Sequence, residues 1–385
     1  MHVFFSVGEP SADQHGAHLI AELRRRDPSI HCSGFGGPLM EKAGFDSLFR
    51  LTDMAVMGVT EVLPMIPRFY SQYLRAKQFL RAARPDVCVL IDFPGFNWWI
   101  ASAAKEAGIE VIYYCPPQMW AWAGWRIRKM RRLVDRVLSV LPFEADWYND
   151  RGMPAEYVGH PFYDEVAERP LDREVCRRLE RSAPRRCAIL PGSRNQEVRR
   201  NFPMMLDVVE RLARKHPDVR FPVACFRQSQ RQFCENVLRE DGRELPVDFC
   251  LGETSEIIAT ADCILMVSGS VSLEVLSRGK PATAMYRCSP SMYLLGRFLG
   301  QCDYMSLPNM MVNRPLMPEF PLARHSDANV TKITAELDRW LSDPVALQRT
   351  ASEMRELAAV AATRGGISRA VDSLLRSSNS TARAA

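Results

Sequence analysis

VCVLIDFPGFN, residues 87–97, changes character once, and that change decides the fold. Val87-Cys88-Val89-Leu90-Ile91 is a short, wholly apolar run. Such a run reads as a strand buried on both faces, the usual state of a strand in a parallel sheet. Asp92 ends it, Pro94-Gly95 turns the chain, and Asn97 to Ala107 then carries helical spacing. The same unit appears upstream. Val3 to Val7 is apolar, Gly8 interrupts it, and Ala17, Leu19, Ile20 and Leu23 mark a helix over 11–26. Downstream, Ile109–Tyr114 and Arg136–Leu141 read as further strands, the second followed by a helix from Glu144 to about Arg151. Strands alternating with helices argue for βα units in a parallel sheet.

Near Glu165 the pattern breaks into a charged stretch that reads as an interdomain connection. A second series follows: a strand at 187–190, a long helix at 195–215, and strands at 220–225, 247–250, 263–267 and 282–286. The expected organisation is a first domain over 1–165, a second over 166–345, a helical segment over 346–375 and a disordered tail over 376–385. The predicted fold class is α/β, with two doubly wound Rossmann-like domains and a cleft between them. Ligands of such sheets bind beyond the C-terminal strand ends.

With 385 residues, 47% apolar and 25% charged, the composition excludes a disordered, collagen-like or disulfide-stapled chain. The net charge of +5 is too small to name a partner. The 11 cysteines are odd in number and include no CxxC. They read as small hydrophobes of a reducing compartment. The N-terminus lacks the basic n-region of a signal peptide, and no stretch approaches the roughly 18–20 apolar residues of a membrane span. The expected location is cytoplasmic.

Five segments at strand ends carry the chemistry. Gly8-Glu9-Pro10-Ser11-Ala12-Asp13 offers free N–H groups where a strand meets a helix; it is also readable as a plain helix cap by Ser11 or Asp13. Asp92 could take a proton from an attacking hydroxyl or simply stabilise a turn. Pro191-Gly192-Ser193-Arg194 opens a helix and suits a diphosphate through backbone N–H groups, the helix dipole and a guanidinium fork. Ser268-Gly269-Ser270-Val271-Ser272-Leu273-Glu274 again leads a strand into a helix, with Glu274 able to accept two ribose hydroxyls. Asn309, in Ser306-Leu307-Pro308-Asn309, has donors and acceptors for a substrate. Neither GxGxxG nor GxxxxGK[ST] occurs, which disfavours a nicotinamide oxidoreductase and a P-loop enzyme. The histidines form no HExxH or HxxxH pattern, and no metal or other cofactor is expected.

Two stretches point to a greasy, anionic partner. Val59, Val62, Leu63, Met65, Ile66 and Phe69 give more apolar surface than one helix face needs, and Pro64 and Pro67 would break or bend a regular helix. Trp120, Trp122 and Trp125 precede Arg126 and Arg128 in a segment with six cations and one acid over 120–136. That mixture suits a membrane interface, single-stranded nucleic acid, or core aromatics beside a solvated basic face.

Taken in order, GEPSAD at 8–13, AVMGVTEVL at 55–63, IDFPGFN at 91–97, WAW at 120–122, LPFE at 141–144, VGHP at 158–161, LPGSR at 190–194, SGSVSLE at 268–274 and YMSLPN at 304–309 resemble the lipid-A-disaccharide synthases. These are glycosyltransferases of GT-B fold, and the match spans nearly the whole chain. The resemblance implies inverting transfer from UDP-2,3-diacylglucosamine to 2,3-diacylglucosamine 1-phosphate, without a metal, at the inner membrane surface. It implies Asp92 as base and Arg194 as stabiliser of the leaving group. UDP contacts would come from Gly192, Ser193, Arg194, Ser268, Gly269 and Glu274. Substrate contacts would come from Gly8, Glu9, Ser11, Asp13 and Asn309, and membrane or acyl contacts from the greasy and Trp/Arg segments. No nucleic acid is expected, and a homodimer is left open. Pro10 and Ala12, Gly95, and Cys115-Pro116-Pro117-Gln118 depart from the family pattern, all in the acceptor-side half. Two alternatives stand beside this reading: another GT-B nucleotide-sugar enzyme with a different lipid acceptor, and a non-enzymatic basic adaptor for membrane or RNA.

Overall fold

The computed structural model describes residues 1–54, 63–288 and 303–381; the side chains of Leu63 and Trp122 and those beyond residue 376 fall outside this description. The chain forms two compact units, Met1–Asp164 with Arg364–Ala385, and Glu165–Thr363.

The first unit holds a seven-stranded sheet of order β3-β2-β1-β4-β5-β6-β7. Its strands are β1 (His2–Val7), β2 (His31–Gly36), β3 (Asp46–Arg50), β4 (Val87–Ile91), β5 (Glu110–Tyr114), β6 (Arg136–Ser139) and β7 (Ala155–Tyr157). All pair in parallel. The 87–91 run is fully buried, because helices cover both faces. The second unit holds a six-stranded parallel sheet of order β10-β9-β8-β11-β12-β13. These are β8 (Arg185–Leu190), β9 (Val219–Cys225), β10 (Val247–Leu251), β11 (Cys263–Val267), β12 (Ala282–Arg287) and β13 (Glu319–Leu322). Alternation along β8 sends Cys187 and Ile189 to one core and Ala188 and Leu190 to the other.

In both sheets the winding reverses beside the first strand. The reversal lies between β1 and β4 in one unit and between β8 and β11 in the other. In open α/β sheets that is where ligands sit. Val7 pairs with Ile91, so Gly8 and Asp92 leave the sheet side by side. Leu190 pairs with Met266, so the loops starting at Pro191 and Ser268 also leave as neighbours.

Several elements differ from the sequence expectation for identifiable reasons. Strands β2 and β3 lack an apolar run; Gly34 and Gly36 interrupt one and charges flank the other. Pro67 does not break the helix Ile66–Ala83, because it occupies the first turn, where no N–H partner is required. The C-terminal segment is two helices, Pro344–Ala361 in the second unit and Gly366–Thr381 in the first. The latter helix returns to the first unit through Arg26–Asp372 and Arg376–Glu156 ion pairs, and Asp164 accepts from the N–H groups of Gly365 and Ile367 at its start.

Candidate active site

In the first unit, Asp92 and Phe93 both take φ of 48°, in the left-handed region that side chains rarely adopt. Each such residue costs about 1–3 kcal/mol and persists only where its surroundings fix it. Here the fixing residue is Asn97, fully buried on the helix Pro94–Glu106. Its Nδ2 donates to the carbonyl of Asp92 at 2.7 Å and to those of Ser6 and Ile91 at 3.2 and 3.3 Å. Its Oδ1 accepts from Ser6 Oγ at 2.6 Å, and the Tyr113 hydroxyl donates to the same Asp92 carbonyl at 2.7 Å. The backbone is therefore clamped while the carboxylate stays half-buried at the strand end. Burial raises the Asp92 pKa above its ordinary value, against the opposing pull of the Phe93 N–H and the charge of His15. His15, in turn, sets its ring 6.2 Å from that of His160. A carboxylate that is more basic than usual is a better general base.

Gly8 is needed beside this turn. A Cβ there would lie 2.3 Å from the Phe93 ring. Glu9 and Ser11 stay at least partly exposed, but Asp13 is buried. The Asp13 carboxylate accepts from the N–H groups of Leu39 and Met40 at 3.0 and 3.1 Å, and so caps a neighbouring helix, Pro38–Lys42, rather than its own.

In the second unit, Gly192 has φ of 116°, a conformation that suits glycine. Arg194 opens the helix Asn195–Lys215, and Glu197 accepts from its backbone N–H at 3.3 Å and from its guanidinium at 3.2 Å. The Arg194 side chain remains 60% exposed. Buried Gln230 ties this loop down: Nε2 donates to the Ser193 carbonyl at 2.8 Å, and Oε1 accepts from the Phe226 N–H at 3.0 Å. Ser268 Oγ donates to the Met305 carbonyl at 3.3 Å, which brings the fourth and fifth segments together. Gly269 is exposed and its surroundings are open. Glu274, on the helix Val271–Ser277, is buried and accepts from Arg278 at 2.8 Å through Oε1. Asn309 is fully buried. Its amide is engaged by the Met317 backbone on both sides and by Glu319, each at 2.7 Å. Glu319 also accepts from the N–H groups of Met305 and Ser306. Asn309 therefore shapes the loop from within.

The greasy segments divide. Val59 and Val62, and the side chains of Leu63 and Trp122, lie outside the described residues. Phe69 is no surface contact: it is buried, 5.8 Å from the Phe96 ring, because the inward stripe of its helix carries it into the core. Trp120 is likewise a core residue. Its Nε1 donates to Glu144 at 2.8 Å and its ring packs edge-on against Phe143. Burial pushes the Glu144 carboxyl up to about 7. Met65 is half-buried, Ile66 and Arg128 are exposed, and Trp125 is 66% exposed beside the guanidinium of half-buried Arg126. Tyr70, Leu74 and Trp99 add exposed apolar surface. Tyr70, Tyr73 and Leu74 line an open groove of about 600 Å³ with Lys77 and Arg81.

Asn97, Tyr113, Gln230 and Glu319 were not singled out in the sequence. Only Asn97 carried a signal, standing within the IDFPGFN motif. The other three sit far along the chain from the loops they hold. Among the described residues, no three His, Cys, Asp or Glu side chains gather in a metal-holding group.

The sequence profile described as Lipid-A-disaccharide synthetase matches residues 3–358. The chain belongs to the lipid-A-disaccharide synthase family. Members of that family from Geobacter metallireducens and Pseudomonas putida are 34% and 36% identical to it, over 90% and 81% of this chain and 90% and 83% of theirs. The fold also matches solved structures at low identity. A putative UDP-N-acetylglucosamine 2-epimerase from Listeria monocytogenes superposes with TM-score 0.65 at 11% identity, covering 97% of this chain and 95% of the other. A UDP-GlcNAc 2-epimerase from Neisseria meningitidis, bound to UDP-GlcNAc, gives 0.63 at 14%, covering 97% and 99%. These likenesses confirm the GT-B architecture of the synthase family member and nothing beyond it.

Proposed function

We propose that the chain transfers 2,3-diacylglucosamine from its UDP derivative to the 6-hydroxyl of 2,3-diacylglucosamine 1-phosphate, giving the β-1,6 disaccharide and UDP. The observation that carries this reading, given the family, is the clamped left-handed turn that presents Asp92 at the β1/β4 switch point. Asp92 accepts the proton of the acceptor hydroxyl as its oxygen attacks the anomeric carbon. The bond from that carbon to the UDP oxygen breaks on the opposite side, so configuration inverts. The departing diphosphate takes the electron pair, and Arg194 with the N–H groups of the Gly192-Ser193 loop holds its charge. Glu274 holds the ribose, with Ser268 and Gly269 beside it. Gly8, Glu9 and Ser11 face the acceptor. Asp13 and Asn309 act on substrate through the loops they brace.

No helix among the described residues is long and apolar enough to cross a membrane. Substrates with acyl chains still have to be reached. Ile66, Tyr70, Leu74, Trp99 and Trp125, with Arg126 and Arg128, are suited to seat the first unit on an anionic leaflet from the cytoplasmic side. The test is a transfer assay with both substrates and EDTA, following product by mass. Disaccharide 1-phosphate is expected. UDP binding without product would redirect the reading to another lipid acceptor, and binding of neither UDP nor lipid would end it.

A further inference from the structure

The helix Asn195–Lys215 carries two arginine environments. Arg194 at its start is paired with Glu197, and Arg211 further along with Asp327. Arg200 lies between them, exposed, and has no carboxylate partner among the described residues. Arg287 ends β12 at the C-terminal end of the sheet, half-buried and, among the described residues, equally without an acid. The two are neighbours by construction. Buried Asn201 accepts the Arg287 N–H at 2.9 Å, and its own amide donates to the Glu197 carbonyl at 2.8 Å. The last residue of the strand is thus clipped to the helix one position past Arg200. The charges feel each other: burial first, and then Arg200, lower the Arg287 pKa. Arginine stays protonated regardless, so repulsion between the two is built into the fold.

We propose that Arg200 and Arg287 form a second anion site that takes a phosphate monoester, separate from the diphosphate-binding loop. Six residues of helix place Arg200 about 9 Å along the axis from Arg194, too far to serve the same phosphates from one turn. Two guanidinium groups, one at the C-terminal end of a strand and one on the helix clipped to it, match a phosphate dianion. A site that binds nothing would gain stability by losing one of the two charges; keeping both fits a ligand that neutralises them. The proposal rests on the glycosyl-transfer reading for its choice of ligand, since that reaction supplies a monophosphate on the acceptor. A lipid headgroup phosphate has the same chemistry.

The test uses the full chain with Arg200→Gln, Arg287→Gln and the double variant. Inorganic phosphate is the first probe, read by its effect on thermal unfolding. The expected result is a ligand-free Tm equal to or above wild type, a phosphate-induced rise reduced at least threefold, and a UDP Kd within twofold of wild type. If the acceptor supplies the phosphate, KM for 2,3-diacylglucosamine 1-phosphate in detergent rises tenfold or more with kcat within threefold. If the headgroup supplies it, binding to phosphatidylglycerol vesicles drops about tenfold while that KM is unchanged. An unchanged phosphate response overturns the proposal, as does a lowered ligand-free Tm, which would make the arginines structural. A tenfold loss of UDP affinity would place them in the diphosphate site and also overturn it. Loss of the phosphate response with neither KM nor vesicle binding altered overturns both sources. If wild type itself binds no UDP, the glycosyl-transfer reading fails instead.

Discussion

Asp92 combines a strained backbone with a raised pKa, and both have consequences at the scale of one residue. A base must be deprotonated, so kcat/KM falls as pH drops through the Asp92 pKa. Because burial raises that pKa, the acidic limb should lie above the ~3.9 of a free aspartate. Replacing His15 with Gln removes a Coulombic interaction that favours the ionised carboxylate and should move the limb further up. A pH–rate profile of the two proteins checks both statements; a limb that stays put in the variant contradicts the electrostatic role of His15. The aspartate itself was legible in the sequence, since a carboxylate ending an apolar run is visible without coordinates. Its clamp was not. Ser6 and Tyr113 lie 91 and 16 residues from Asn97, and only strand pairing brings the three together.

At the scale of elements, the helix Pro94–Glu106 holds the site through Asn97. Asn97→Ala would leave several buried groups unpaired and should cost about 2–4 kcal/mol in urea unfolding, with turnover reduced as the turn relaxes. Retained stability and turnover would show that the turn holds itself. The segment from Trp120 to Trp125 separates core from surface in the same way. Trp120→Ala should cost about 3–5 kcal/mol, whereas Trp125→Ser should leave stability within about 0.5 kcal/mol and weaken vesicle binding. The two were alike in the sequence, because a tryptophan beside arginines gives no sign of which way it faces. Glu144, which takes the Trp120 N–H, makes a pH prediction. Its folded pKa of about 7 exceeds the ordinary 4.5, so the folded state binds the extra proton across that window. Stability should therefore fall as pH rises from about 4.5 to about 7 and level off above, by up to about 3 kcal/mol. Glu144→Gln should flatten that slope; an unchanged slope would remove Glu144 as its source.

At the scale of the whole molecule, the two units repeat one device, a Gly-bearing loop beside a second loop at the switch point of a parallel sheet. Most of this was legible, because fully buried parallel strands announce themselves as apolar runs. The edge strands β3, β7 and β13 were not, since short or partly exposed strands lack that signature, and β2 was not because glycines interrupt its apolar run. Nor was the path of the last helix, whose buried Ala370, Val371 and Leu374 pack into the first unit. Ending the chain at Thr363 should destabilise that unit by about 3–6 kcal/mol, from the apolar burial lost. The most direct test of the central claim is Asp92→Asn, with UDP affinity and kcat measured side by side. Asparagine tolerates the left-handed backbone and nearly matches the shape, so folding should be unaffected. The account predicts UDP affinity within twofold of wild type and kcat lowered by about 10²–10⁴. A kcat near wild type would contradict it.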